Sequence, residues 1–201
     1  MDAKWVESYI NCGHEFLNLK SNQEALNQYL KAIRIANLSG QELSDPLLFQ
    51  KAGQIYISQG KWEDARVMFM MCAEQYQTSF SYFNLGVASY NLGSYDEAER
   101  VLGLVNYMDS SNTLTWAYLT LALLNKENPP INAAFETMNE ALKLGLNDIN
   151  LLQEIFVANI SVGQYKAAKN VQEHLLVCLA NKGHKKMRQF FAQVSECIGK
   201  H

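Results

Sequence analysis

The sequence has 201 residues, of which 18% are charged, and a formal net charge of −3 at pH 7. A chain of this length can form one sizeable core that buries roughly 70% of the unfolded surface. The negative net charge and the low share of charged residues argue against a general nucleic-acid-binding protein. No run approaches the roughly 18 apolar residues of a membrane span, so we expect neither nucleic acid nor membrane as a partner.

One motif recurs five times along the chain and organises the whole sequence. It consists of two amphipathic helices joined by a turn, with a small residue where the second helix packs on the first. That residue is successively Ala25, Ala65, Ala98, Ala134 and Ala168, at gaps of 40, 33, 36 and 34 residues. A period near 34 is typical of the tetratricopeptide repeat (TPR), in which helix pairs stack on their neighbours.

This pattern predicts an all-α fold, a right-handed TPR superhelix (α-solenoid) of five helix pairs plus a C-terminal capping helix. We expect a single TPR domain over residues 1–201. Its repeats are predicted at about 6–39, 46–78, 79–112, 113–148 and 149–182, with the capping helix at about 184–199.

Turn residues predict where several helices begin. A linker at residues 40–45 accounts for the longest gap, and its last residue, Asp45, is predicted to cap a helix that starts at Pro46. Ser94 and Glu97 match the S-x-x-E capping box, in which each side chain accepts a hydrogen bond from a free backbone N–H.

The first helix, at about residues 3–20, is unusually apolar for the end of a solenoid. Trp5, Tyr9 and Ile10 lie on its apolar face, whereas a terminal repeat should be polar on its outer side. Two interpretations remain open. These side chains either fill the first groove of the solenoid or form a terminal interaction surface for another helix or a partner chain.

One long segment carries a more specific resemblance. Its motifs, in chain order, are Gly53-Gln54-Ile55-Tyr56, Gly60-Lys61-Trp62-Glu63-Asp64-Ala65, Leu85 to Asn91, Asp96-Glu97-Ala98-Glu99, Trp116-Ala117-Tyr118-Leu119 and Leu142-Lys143-Leu144-Gly145-Leu146. Over roughly residues 50–155 the chain resembles the C-terminal TPR array of an axonemal protein family, cilia- and flagella-associated protein seventy.

The resemblance implies a non-catalytic scaffold in the axoneme of the motile cilium or flagellum, on its cytoplasmic side, and part of a longer parent protein. It implies axonemal subunits as partners. The alternative is a soluble, cytoplasmic TPR adaptor that binds peptides, such as a cochaperone or a trafficking subunit.

In TPR proteins the first helix of each repeat lines the concave face. Transferring the inward-facing positions to this chain predicts a protein-binding groove of Gln54, Phe83, Val87, Tyr90, Asn91, Leu121, Leu124, Asn125 and Val157. The positions that hold a carboxylate clamp in chaperone-binding TPR proteins include Ile10, His14 and Lys51 here, so a two-carboxylate clamp is not expected. The apolar centre suits an amphipathic helix, although the same side chains would also serve helix packing alone.

No motif for catalysis occurs in the sequence, and we expect no enzyme activity, no metal and no cofactor. His174 and Cys178 share one helix face, with His184 nearby. A structural metal site needs four ligands, so helix packing is the favoured interpretation of these residues.

A basic patch at Lys185, Lys186 and Arg188 follows the last repeat. The first interpretation is favourable positive charge near the end of a helix. The second is an electrostatic contact with an acidic surface, such as the tubulin tails of microtubule-associated complexes.

Overall fold

The computed structural model describes residues 3–185, Met187 and Phe191, and the regular secondary structure of this part is helical. The helices are α1 (Ala3–Asn18), α2 (Asn22–Ser39), α3 (Pro46–Ser58), α4 (Trp62–Tyr76), α5 (Ser79–Asn91), α6 (Tyr95–Met108), α7 (Thr113–Leu124), α8 (Ile131–Lys143), α9 (Ile149–Ser161) and α10 (Tyr165–Asn181). Their number and order confirm the five predicted pairs. Within the described part, no helix is both long enough and apolar enough to cross a membrane.

The chain forms two compact units, Met1–Leu92 and Gly93–His201, here called unit 1 and unit 2. In unit 1, α1 packs on α2, α3 packs on α4, and α4 also contacts α5. In unit 2, α7 contacts α6, α8 and α9, while α9 packs on α10. The expected single domain over residues 1–201 stays a prediction.

Small residues allow the helices of a pair to approach closely. The repeat-marking alanines are at most 2% exposed: Ala25, Ala65, Ala98, Ala134 and Ala168. A Cβ atom on Gly53 would lie 2.6 Å from Cζ of Phe69, and one on Gly13 would lie 2.4 Å from Cε1 of Tyr29. Both rings are fully buried, so in these two repeats the glycine is required by packing.

The first helices of repeats two to five have side-chain caps. Asp45 has extended backbone, and its Oδ1 accepts a hydrogen bond from the Leu47 N–H at 2.8 Å. Thr78, Asn112 and Asp148 cap the later first helices in the same way. The predicted boundary at Asp45 and Pro46 is confirmed.

The second helix of each repeat begins differently. The residue before it has a ψ of 61° to 80° and makes no side-chain capping bond, at Ser21, Lys61, Ser94, Pro130 and Gln164. A backbone hydrogen bond closes the turn before this helix instead, as in repeat two, where the Lys61 N–H donates to the Tyr56 carbonyl at 3.0 Å. The Ser94 half of the predicted capping box is therefore wrong, because a ψ of 65° is not the extended conformation from which a hydroxyl caps a helix.

Residues after α10 pack onto the last repeat. Phe191 is buried, and its ring meets Phe156 edge to face with a centroid separation of 5.7 Å. The Gln172 side-chain amide donates to the Phe191 carbonyl. Most of the capping helix predicted at 184–199 lies outside the described residues.

Candidate protein-binding site

Unit 1 contains a cleft between α1 and α3, here called the α1–α3 cleft. Its volume is about 540 Å³, within the range of about 300–1,000 Å³ that is usual for ligand sites. Its walls consist of His14, Leu17, Asn18, Asn22, Leu47, Lys51, Gln54, Ile55 and Ser58.

His14, on one wall of this cleft, is held by two hydrogen bonds. Its Nδ1 lies 2.7 Å from the hydroxyl of buried Tyr29, and its Nε2 lies 2.8 Å from Oδ2 of Asp45. All three groups are satisfied if Tyr29 donates to Nδ1 while Nε2–H donates to the carboxylate. Burial, and then the charge of Asp45, raises the pKa of Tyr29 to about 12, so the phenol stays protonated and able to donate at neutral pH.

The opposite wall carries the positive charge of Lys51. The described lining contains no carboxylate, and Lys51 Nζ donates to Oε1 of Gln54 at 3.3 Å. Asn18 and Asn22 add two more side-chain amides, and Leu47 adds an apolar surface that is 46% exposed. This arrangement can accept an anionic group that also forms hydrogen bonds.

The groove residues predicted in unit 1 differ in accessibility. Gln54 is exposed and lines the α1–α3 cleft, while Phe83 and Tyr90 on α5 are half-buried. Asn91 is exposed, and its Nδ2 donates to the Val87 carbonyl at 2.8 Å. Val87 itself is 8% exposed, so it serves packing and offers little surface to a partner.

In unit 2 the predicted groove needs a correction. Leu121 is 1% exposed and Leu124 is 4% exposed, because α7 packs against three other helices of this unit. They are core residues and offer almost no surface to a partner. Asn125 is exposed, with its Nδ2 donating to the Leu121 carbonyl at 2.8 Å. Val157 on α9 is 61% exposed and is the accessible apolar member of the set in unit 2.

The predicted terminal interaction surface is smaller than expected. Trp5 is 58% exposed, whereas Ile10 is 7% exposed and belongs to the core. Ile10 also lines a cavity of about 310 Å³ between α1 and residues 41–45. Tyr9 is half-buried, and the Lys31 ammonium lies 5.8 Å from its ring centroid. The accessible part is therefore Trp5 with part of Tyr9.

The predicted basic patch lies mostly outside the described residues. Lys185 is helical and exposed, while Lys186 and Arg188 are not among the described residues. The patch stays a prediction.

The His and Cys pair on α10 faces the connection between α8 and α9. His174 Nε2 lies 2.9 Å from the Leu146 carbonyl oxygen, and Cys178 Sγ lies 4.0 Å from the same atom. The described residues contain no group of three or more side chains suited to a metal ion.

Most of the α1–α3 cleft does not follow from the sequence motifs. His14 and Lys51 match a carboxylate clamp poorly, and no motif marks Asn18 or Asn22. The repeat does contain one signal, since His14 holds the same repeat position as the predicted groove residue Gln54.

Comparison with known proteins identifies the family. The family model "Cilia and flagella-associated protein 70 C-terminal domain" matches residues 4–198, nearly the whole chain. The chain belongs to this family. The resemblance noted in the sequence is confirmed, and it extends well beyond residues 50–155.

Curated relatives agree with this assignment, and solved structures agree with the fold. Human cilia- and flagella-associated protein 70 is 28% identical over 151 residues, covering 75% of this chain and 13% of that relative. The chain thus spans about an eighth of the relative's length.

MamA (41-end) from Desulfovibrio magneticus RS-1 has a TM-score of 0.70 at 20% identity, covering 90% of this chain and 98% of MamA. YrrB, described as a TPR protein with an unusual peptide-binding site, has a TM-score of 0.69 at 15% identity, covering 92% and 90%. At these identities the two structures show the fold alone, a helical repeat of the TPR type.

Proposed function

We propose that this chain is a non-catalytic protein-interaction scaffold and, within its parent protein, a structural part of the axoneme of motile cilia or flagella. The observation that carries the proposal is the family match over residues 4–198. TPR repeats bury their apolar faces against one another and leave an extended surface for other proteins. Axonemal subunits are the partners that the family name suggests.

The first helices of the repeats in unit 2 offer one surface for such a partner. Helices α7 and α9 contact each other, and Val157 projects from α9 with 61% of its surface exposed. An exposed apolar side chain on the first helix of a repeat suits contact with the apolar face of an amphipathic partner helix.

Fractionation of ciliated cells tests the proposal. A tagged copy of the chain should remain with axonemes after the membrane has been removed with detergent, because a structural scaffold is bound to the microtubule assembly. Val157→Asp should reduce this retention by placing a charge in the apolar contact.

Val177 gives a matched control for that substitution. It lies on α10, the second helix of its repeat, and is 59% exposed. Val177→Asp should leave retention unchanged, and circular dichroism should show the same helix content in both variants. A parent chain that leaves entirely with the detergent fraction would contradict the axonemal role.

A soluble peptide-binding adaptor is the second candidate, and the α1–α3 cleft favours it. A cleft of about 540 Å³ is large enough for a short peptide segment. An adaptor would appear in the detergent-soluble fraction of the same experiment and would bring its peptide partner with it.

A further inference from the structure

Lys51 has no acidic partner in the described part of the chain. Its ammonium donates to the neutral amide of Gln54, and the nine residues that line the cleft include no Asp or Glu. Asp45, which lies near the cleft through its bond to His14, already accepts hydrogen bonds from His14 and from the Leu47 N–H. The lining of the cleft therefore carries a positive charge that forms no ion pair with a carboxylate of that lining, although the chain as a whole has a net charge of −3.

The neutral groups around Lys51 match the needs of a peptide backbone. Three side-chain amides line the cleft, at Asn18, Asn22 and Gln54. Each has an NH₂ donor and a carbonyl acceptor, so it can pair with the C=O and the N–H of a peptide group. Leu47, nearly half exposed, can contact an apolar side chain next to the bound group. A ligand that combines a carboxylate with an amide backbone uses all of these features.

The carboxylate could come from the C-terminus of a partner or from an Asp or Glu side chain, and the number of cations in the cleft favours the side chain. Binding of a chain terminus by a two-carboxylate clamp uses several cations, whereas the described lining of this cleft contains one lysine and a hydrogen-bonded histidine. We propose that the α1–α3 cleft binds the side chain of a Glu or Asp within an extended segment of a partner protein, with Lys51 pairing to the carboxylate. The inference rests on the proposal that the chain binds proteins, but it concerns different residues from those around Val157.

Selection from a displayed peptide library tests the inference without knowledge of the partner. Random peptides are displayed inside a carrier protein, so that no free C-terminus is present, and are selected on the immobilised chain. Recovered peptides should share an acidic residue at one fixed position. Synthetic copies with acetylated and amidated ends should lose about tenfold in affinity when that residue is replaced by its amide, the loss expected for one charge-assisted hydrogen bond.

Variants of the chain assign the contact to Lys51. Lys51→Met keeps the aliphatic stem and should weaken binding of the acidic peptide by about tenfold, while leaving binding of its amide counterpart unchanged. Lys169→Met removes an exposed lysine from α10 and should have no effect. The peptide substitution is measured on the unaltered chain, so it decides the question even if Lys51→Met folds poorly.

Several results would overturn the inference. These are recovery of no peptide, recovery of peptides without a shared acidic residue, and equal binding by the parent chain and a folded Lys51→Met variant. A second library displays peptides with free C-termini. If peptides are recovered from that library alone, the cleft binds a terminal carboxylate and the inference is wrong. None of these outcomes depends on axonemal retention, so the proposed function would be judged separately.

Discussion

Replacing Gly53 with alanine should destabilise unit 1, although alanine is the better helix former. The added Cβ would lie 2.6 Å from Cζ and 2.7 Å from Cε2 of Phe69, whereas ordinary contacts are 3.4–4 Å. Phe69 is 0% exposed, so its ring cannot move into solvent and either α3 or α4 must shift. Overpacking of this kind costs about 1–3 kcal/mol, and the gain in helix propensity returns about 0.5–1 kcal/mol. We expect a net loss of about 1–2 kcal/mol.

Urea denaturation followed by circular dichroism measures this loss, and Gly103 supplies the control. Gly103 lies inside α6, and a Cβ there would meet no atom within 4 Å. Gly103→Ala should therefore stabilise unit 2 by about 0.5–1 kcal/mol. If Gly53→Ala were as stable as the parent chain while Gly103→Ala behaved as expected, α3 and α4 could not approach as closely as described.

Two further predictions concern the dependence of stability on pH. Because the folded-state pKa of Tyr29 is raised to about 12, protonated Tyr29 stabilises unit 1 fully below its ordinary value of 10, and this contribution is lost as the pH rises through 12. Ultraviolet titration should show tyrosine ionisation near pH 12 that decreases by one tyrosine in Tyr29→Phe. Lys126 forms hydrogen bonds with Asp96, at 2.6 Å, and with Glu99, and these raise its pKa above 10.5. These two ion pairs contribute stability below the ordinary lysine pKa, and the contribution is lost as the pH rises through the raised value. The Asp96 side chain is 93% exposed and the Glu99 side chain 41% exposed, so solvent weakens both interactions and Lys126→Met should cost about 0.5–1 kcal/mol at pH 7. The difference between variant and parent should vanish once lysine is deprotonated.

The helix pairs could be predicted because their signals are local. Apolar periodicity and the small residue at each helix contact depend on residues a few positions apart. Ala25 and Ala65 are fully buried as expected, and Asp45 caps the helix that Pro46 begins. Each of these outcomes follows from the chemistry of the residue itself, since a small side chain permits close packing and a carboxylate accepts from a free N–H.

The groove was predicted less well because repeat position fixes the direction of a side chain but not what covers it. Leu121 and Val157 occupy the same position in successive repeats, yet one is 1% exposed and the other is 61% exposed. Leu121 lies on α7, which three other helices of unit 2 contact. Ser94 shows a related limit, because its residue type suits a cap while the turn gives it a ψ of 65°.

His14 and Lys51 contribute to the α1–α3 cleft in different ways, and this difference can be tested. Tyr29 and Asp45 fix the His14 ring before any ligand arrives, so ordering this wall costs little entropy on binding. His14→Ala would leave the buried Tyr29 hydroxyl unpaired, which costs about 1–3 kcal/mol, and would loosen the wall. We therefore expect His14→Ala to lower both the melting temperature and the affinity for an acidic peptide, whereas Lys51→Met should lower affinity alone. A His14→Ala chain that melted like the parent would show that the hydrogen bonds to Tyr29 and Asp45 do not support the fold.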